Sequence, residues 1–412
     1  MIRIRSTAPV QVLAHSYTKD GAGDTYAVLP ITMASTSYSF SLPSTADGGL
    51  SMVYFLPAGS DAEISVKLKT KDSQQTMNFD IKKDDSSDMM MLGGPNKPFT
   101  VYAKGSAPFV VLIASKQVSV GGKYRDFMCT MPMSDAWKSK PKKDNTPQHY
   151  LADVSTSAYF YVTPPEDVKQ IDVHGSNGES KQISAKDLGH KMRSFADENL
   201  GTHVDIVGKS LQVERIGDPH SNGVFLDMIP AYNQWLTGPA AFRPRHKGDQ
   251  LLIFGENVTA KSCELAFKPA QSPPSWKQIK GIFGGSVFAT SVKTLNADPL
   301  IITSACPYVA LVVGTRDHHA YAYTPAMNLP NSRAPPPPAP KTTTIPSTST
   351  TTSTTTTSPT TSSTTSTTSP DTVPTKATAG STARTFATTA GASNCAPVIA
   401  LTLFSIVDAI IR

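Results

Sequence analysis

One figure recurs along this chain and constrains its fold more than any other feature: a short apolar run, a turn-rich link, and an aromatic-rich strand closed by proline. It reads STAPVQVLAHS…DTYAVLP from Ser6 to Pro30 and GSAPFVVLIAS…RDFMCTMP from Gly105 to Pro132. It returns as KSLQVERIG…VFLDMIP from Lys209 to Pro230 and as SACPYVALVVG…HAYAYTP from Ser304 to Pro325. The apolar runs begin at Val10, Phe109, Leu211 and Tyr308, spaced by 99, 102 and 97 residues. Near-constant spacing is the mark of a duplicated unit, here of about one hundred residues. The third copy is the most divergent, with Lys209-Ser210 where the second has Ala107-Pro108.

The chemistry of the figure is that of buried strands. Ala-Pro fixes an extended start to the run, because proline sets its own φ and drives the residue before it out of the helical region. Val110–Ile113 is a continuous apolar stretch of the kind found in strands covered on both faces. Pro30, Pro132, Pro230 and Pro325 end each copy where strand pairing must stop.

Between the copies the pattern stays extended. Tyr38, Phe40 and Leu42 alternate with serines, and Val53–Leu56 runs into the turn Pro57-Ala-Gly59. Ile64, Val66 and Leu68 alternate with Ser65, Lys67 and Lys69, a half-buried strand with one wet face. With Thr76–Ile81, Met89–Leu92, Phe99–Ala103, Phe109–Ile113 and Arg125–Met131, this unit is expected to hold about eight short strands, as in a β-sandwich or jelly roll. The second full unit repeats the order with Tyr159–Val162, Pro164-Pro165 and Ile171–Val173. It then departs: Ser184–Asp187 could cap a short helix, with Leu188, Met192 and Phe195 on one face. The expected fold is all-β, in tandem antiparallel β-sandwich-like modules. The divisions are 1–37, the closing part of a module; 38–140, 150–240 and 241–330, full modules; 331–395, a stalk; and 396–412, an apolar tail. Whether the modules string out or close into a ring is open.

A chain of 412 residues has room for two to four domains. The net charge of +6 is scattered, and the one dense basic run, Lys138–Lys143, lacks the interleaved aromatics and arginines of a nucleic-acid surface. No nucleic-acid partner is therefore expected. Met1–Arg5 leads directly into the first figure with no apolar leader segment, so further residues before Met1 are expected.

The third full unit carries a family resemblance. Pro230-Ala-Tyr-Asn-Gln-Trp-Leu236, then Trp276-Lys-Gln-Ile-Lys-Gly281, then SACPYVALVVG…AYAY over Ser304–Tyr323 resemble the N-terminal domain of IgGFc-binding proteins. The opening STAPVQV…DTYAVLP fits the same family, and the likeness spans about residues 2–330. Members of that family are secreted or surface proteins, often joined to mucin-type or von-Willebrand-type segments. The resemblance implies a binding or matrix module, with mucins, other extracellular glycoproteins or immunoglobulin Fc as partners. It carries no catalytic residue across.

Past Pro330 the composition changes. Pro335–Pro338 leads into a tract, Thr342–Thr375, that is almost wholly Ser, Thr and Pro. Such a tract cannot bury a core; it reads as an O-glycosylated stalk or a bare linker. The tail Ala396–Ile411 is sixteen residues long, which as a helix falls short of a bilayer core of about 30 Å, and it contains Asp408. Small residues at Ala379, Gly380, Ser381 and Thr382, a spacer and this tail match a GPI-attachment signal with Gly380 as the attachment site; a short membrane helix and an unanchored tail are the alternatives. The expected place is extracellular, held to a membrane by the tail.

No sequence feature points to catalysis or to a cofactor: there is no Gly-x-Ser-x-Gly elbow, no P-loop and no His-Glu-x-x-His. The four cysteines, Cys129, Cys263, Cys306 and Cys395, lack C-x-x-C spacing. Cys263 and Cys306 fall in one unit, with Cys306 where other copies have Ala8 and Ala107, so a disulfide between them and a free buried thiol are both open. Asn257-Val-Thr259 is a sequon beside Gly255, a candidate N-glycosylation site on a turn. Arg316-Asp-His-His319 reads as a polar loop, since adjacent histidines on a strand face opposite ways and cannot share a metal ion.

Overall fold

A computed structural model describes Ile4 and residues 10–17, 23–46, 49–83, 88–92, 97–118, 126–135, 149–152, 158–175, 178–189, 203–207, 211–217, 223–271, 274–279, 287–316, 319–327 and 398–405. All of these belong to one unit, Met1–Asn331 with Thr385–Arg412. The stalk, the basic run Lys138–Lys143, Met192, Phe195, Gly380 and Cys395 lie outside the described residues.

The chain is all-β. It opens with a hairpin of β1 (Val10–Tyr17) and β2 (Gly23–Ala27). The first full unit follows as β3 (Ser35–Leu42), β4 (Leu50–Pro57), β5 (Ala62–Lys69), β6 (Gln74–Ile81), β7 (Asp88–Leu92), β8 (Phe99–Val118) and β9 (Asp126–Thr130). In β5 the alternation read from sequence places Ala62, Ile64 and Val66 in the core and Glu63 and Ser65 in solvent. The two strands expected at Phe99–Ala103 and Phe109–Ile113 are one 20-residue strand.

That long strand explains the Ala-Pro pair. The first part of β8 pairs with β3 and β5, Gly105 being the last residue matched to β5; from Phe109 onward it pairs with β4, and from Ile113 with β9. Ala107-Pro108 lies at the changeover, where a residue without an N–H costs no ladder hydrogen bond. Ala-Pro is therefore the joint between two pairings, not the start of a strand.

The next unit comprises β10 (His149–Ala152), β11 (Ala158–Thr163), β12 (Gln170–Gly175), β13 (Ser180–Ser184), β14 (His203–Val207), β15 (Gln212–Gly217) and β16 (Phe225–Met228). Here the long strand is in two pieces: β14 pairs with β10 and β12, and β15 with β11 and β16. The expected helix reduces to a single 3-10 turn, Ala185–Asp187, because Leu188 returns to extended backbone at φ −100°, ψ 167°.

The last unit runs β17 (Leu236–Phe242), β18 (Gln250–Glu256), β19 (Ala266–Lys268), β20 (Lys277–Gln278), β21 (Val287–Lys293), β22 (Leu300–Arg316) and β23 (His319–Tyr323). β17, from Leu236, pairs with the long strand β22 of this unit. β22 repeats β8: its first part pairs with β17 and β19, its second with β18 and β23, with Pro307 between. Even the register shift recurs, between Ser35 and Ser37 opposite β8 and between Leu236 and Gly238 opposite β22.

Val10, Phe109 and Tyr308 thus lie in the first strands of hairpins β1–β2, β8–β9 and β22–β23, and Leu211 directly precedes β15 of hairpin β15–β16. On β8, β15 and β22 the other edge of the strand is covered by β4, β11 and β18. On β1 that edge is taken by β24 (Val398–Ser405), antiparallel from Val10↔Ser405 to Tyr17↔Val398. This part of the tail, read from sequence as an anchor signal or a membrane helix, is extended. Among the described residues no helix is long and apolar enough to cross a membrane.

The hairpins close into a ring. β2 lies against β9 and β23, and β16 lies against the same two strands. The cores bridge neighbours in the same order. Ala14 and Tyr26 pack with Phe127 and Met131; Phe55 and Val111 share a core with Ile216 and Leu226. Phe225 and Val213 pack with Phe254 and Leu311, and Leu13 returns to Val312 and Tyr323. Each fully buried side chain of this kind contributes about 1.5–3 kcal/mol, so the ring is held mainly by apolar burial.

Candidate functional site

Among the described residues, two clusters of ionisable side chains join distant parts of the chain: one at the centre of the ring and one at a loop on its edge. At the centre the decisive residues are Asp24 and Asp126, each six residues before its closing proline; the same offset gives Val224 and His319 in the other two copies. Asp24 is fully buried. Its Oδ1 accepts hydrogen bonds from the backbone N–H of Thr25 (2.7 Å) and Ala322 (3.4 Å), and its Oδ2 from Cys129 and Leu226 (both 3.3 Å). One carboxylate is thereby tied to β2, β9, β16 and β23 together. Asp126 does the same for three: it accepts from Phe127 N (2.8 Å), Val224 N (3.1 Å) and Ala320 N (3.0 Å). His319 Nδ1 lies 3.3 Å from Asp126 Oδ1.

Burial pushes both carboxyls above the usual carboxylate range, and their mutual repulsion adds to this at Asp24; the N–H donors pull the other way. The approach of strands here is close enough to dictate glycine at 223. A Cβ there would lie 2.5 Å from Ala320 N and 2.7 Å from Asp126 Oδ2, at a φ of +117°. The Cys129 thiol is buried beside Asp24, and desolvation followed by that charge holds it well above its ordinary value. A centre so closed and so fully hydrogen-bonded to backbone is built to hold strands together. Among the described residues no group of three or more His, Cys, Asp or Glu could hold a metal ion.

The second cluster lies where the first hairpin meets the loop between β17 and β18. Asp249, 3 % exposed, accepts from Arg245 N (2.8 Å) and His246 N (3.0 Å) at Oδ2 and from Tyr321 OH (2.6 Å) at Oδ1. It therefore shapes the loop from beneath. Arg245 lies over the Tyr321 ring, its Cζ 5.2 Å from the centroid, and donates to Thr25 Oγ1 at 3.4 Å. The same hydroxyl is 2.8 Å from His15 Nδ1. Burial, then the charges of Arg245 and His246, lower the His15 pKa to about 4.

A third feature is local. Arg215 and Asp227, opposite each other in hairpin β15–β16, form a buried two-point ion pair at 2.9 and 2.6 Å. Burial raises the Asp227 carboxyl and Arg215 opposes the rise.

Of the residues singled out in the sequence, Asn257 is exposed in the turn after β18, at φ 52°. Cys263 and Cys306 form a disulfide, with Cα atoms 5.1 Å apart, that ties a 3-10 turn to the joint of β22. His319 opens β23 and reaches the centre instead of a loop, while Asp317 and His318 lie outside the described residues. Asp24, Asp126, Arg215 and Arg245 were not singled out; the shared six-residue offset to proline was the available signal for the first two. Comparisons with family models, curated proteins and solved structures return no match.

Proposed function

We propose that this chain is a cell-surface or secreted binding and adhesion protein of the kind its resemblance to IgGFc-binding proteins implies. In this reading one β-sandwich-like module of about one hundred residues has been duplicated and closed into a ring. The Ser/Thr/Pro tract is a glycosylated stalk, Asn257 carries an N-glycan, and the ring's loops meet extracellular glycoproteins, mucins or immunoglobulin Fc. The observation that carries it is the disposition of ionisable groups. Asp24 and Asp126 have their oxygens engaged by backbone N–H groups, so they act as scaffold and not as acid, base or nucleophile. Ligands are then left to loops presented by a rigid frame. Anchoring through Gly380 requires the tail to leave β1, since β24 cannot both pair there and be removed.

The test is capture by the immobilised full chain. Saturable binding of a glycoprotein or of Fc is expected; self-association alone would favour a structural coat component instead. Release of the protein from cells by a phosphoinositide-specific phospholipase checks the anchor.

A further inference from the structure

We propose that His15, Arg245 and His246 form a binding site for an oxyanion carried on a glycan, either the carboxylate of an acidic sugar or a sulfate ester. The proposal rests on the glycoprotein-binding reading and names the chemistry that one loop of the ring would recognise.

The argument begins with what the fold does not require. The corresponding loop between β3 and β4 contains Pro43–Gly49, and that between β10 and β11 contains Asp153–Ser157; neither has a Lys, Arg or His. The loop between β17 and β18 instead reads Arg243-Pro-Arg-His-Lys247. Its cations are an addition in one copy.

The loop is also held in shape before any ligand arrives. Asp249 fixes the backbone at Arg245 and His246 through two N–H bonds, and Tyr321 OH takes its other oxygen. The His246 ring stands edge-on to Tyr321, centroids 6.0 Å apart, while Arg245 lies over the same ring. Thr25 Oγ1 brings His15 and Arg245 to one atom, at 2.8 and 3.4 Å. Two imidazoles and a guanidinium therefore crowd one spot, and Asp249 beneath the loop has both oxygens engaged. A planar guanidinium fork is suited to carboxylate or sulfate, and holding it in advance reduces the ordering cost of binding.

The cluster also sets a pH dependence. The groups placed against His15 are Arg245 and His246 of the loop and the Thr25 hydroxyl of β2. Burial, and after it repulsion from Arg245 and His246, keeps His15 neutral at pH 7. A bound oxyanion cancels that repulsion, so binding takes up a proton and strengthens as pH falls.

The experiment uses the full chain with three probes, sialyllactose, sulfated lactose and lactose, at pH 7.4 and 5.5. At least one acidic probe is expected to bind at least tenfold more tightly than lactose, and more tightly at pH 5.5. Preference for sialyllactose identifies a carboxylate sugar, and preference for sulfated lactose a sulfate ester. Arg245→Gln should weaken the acidic probe at least tenfold, while Arg245→Lys, which keeps charge without the fork, should lose less. His15→Gln should retain binding at pH 7.4 and lose most of the gain at pH 5.5. Near-UV circular dichroism of each variant excludes misfolding, with Lys83→Gln as a distant charge control. Equal binding of lactose and both acidic probes overturns the site, as does full binding by a folded Arg245→Gln. Glycoprotein capture is measured in parallel: saturable capture untouched by Arg245→Gln sinks this site but spares the wider reading, and absence of all capture sinks both.

Discussion

Asp24 at the centre of the ring and Asp249 under the edge loop are the same chemical device with different reach. Each is a buried carboxylate that accepts backbone N–H groups, and burial raises the pKa of both. Asp249 binds residues three and four positions before it and one tyrosine. Asp24 binds residues 105, 202 and 298 positions away. The first shapes a loop; the second adds a polar tie among four hairpins whose cores already bridge them. An identical group thus becomes local or global according to which strands the fold brings to it.

The sharpest way to break this comparison is Asp24→Ala, which leaves the N–H groups of Thr25, Cys129, Leu226 and Ala322 buried without an acceptor. A loss of about 4 kcal/mol is expected in urea unfolding, since each orphaned buried donor costs about 1–3 kcal/mol. Asp249→Ala should cost less than half as much, because its partners lie in one loop at the edge. Next in size is Arg215→Ala, which strands the Asp227 charge inside hairpin β15–β16 and should cost about 3 kcal/mol. Arg215→Met with Asp227→Leu should recover most of that loss, which marks the pair as local. Removing the Cys263–Cys306 bond by a double serine substitution frees a 43-residue loop and should cost about 2–3 kcal/mol, without altering the centre.

The smallest effect is on pH dependence. The folded His15 pKa, about 4, is below its ordinary 6.5, so the unfolded chain takes up this proton first. The stability His15 contributes is therefore present above pH 6.5 and is lost as pH falls toward 4. His15→Gln should flatten that limb of a stability–pH curve. Asp24 and Asp126 run the other way: with folded values raised, their contribution is fully present in acid and declines as pH climbs through those values.

Much of the scaffold was legible in the sequence because it is written in short-range patterns. The Ile64–Leu68 alternation, the four apolar runs and the closing prolines all report which residues face a core, and they are right at β5 and at each hairpin. Ala107-Pro108 was misread because proline at a strand's beginning and proline at a change of strand partner look alike along one chain. The helix after Ser184 failed at Leu188, where extended backbone wins over helical spacing. Asp24 and Asp126 share a six-residue offset to proline, but nothing in that spacing marks them as buried. A carboxylate in a strand ordinarily marks a wet face, and only closure of the ring turns that face inward. Arg245 and His15 are 230 residues apart in the chain, so no spacing rule joins them.

The account's central claim is tested most directly by hydrogen exchange on Asp24→Ala against the parent. Strands 126–130, 225–228 and 319–323 should lose protection together, although the substitution lies in none of them. Loss confined to 23–27 and its partner β1, with the other three strands as protected as before, would contradict it.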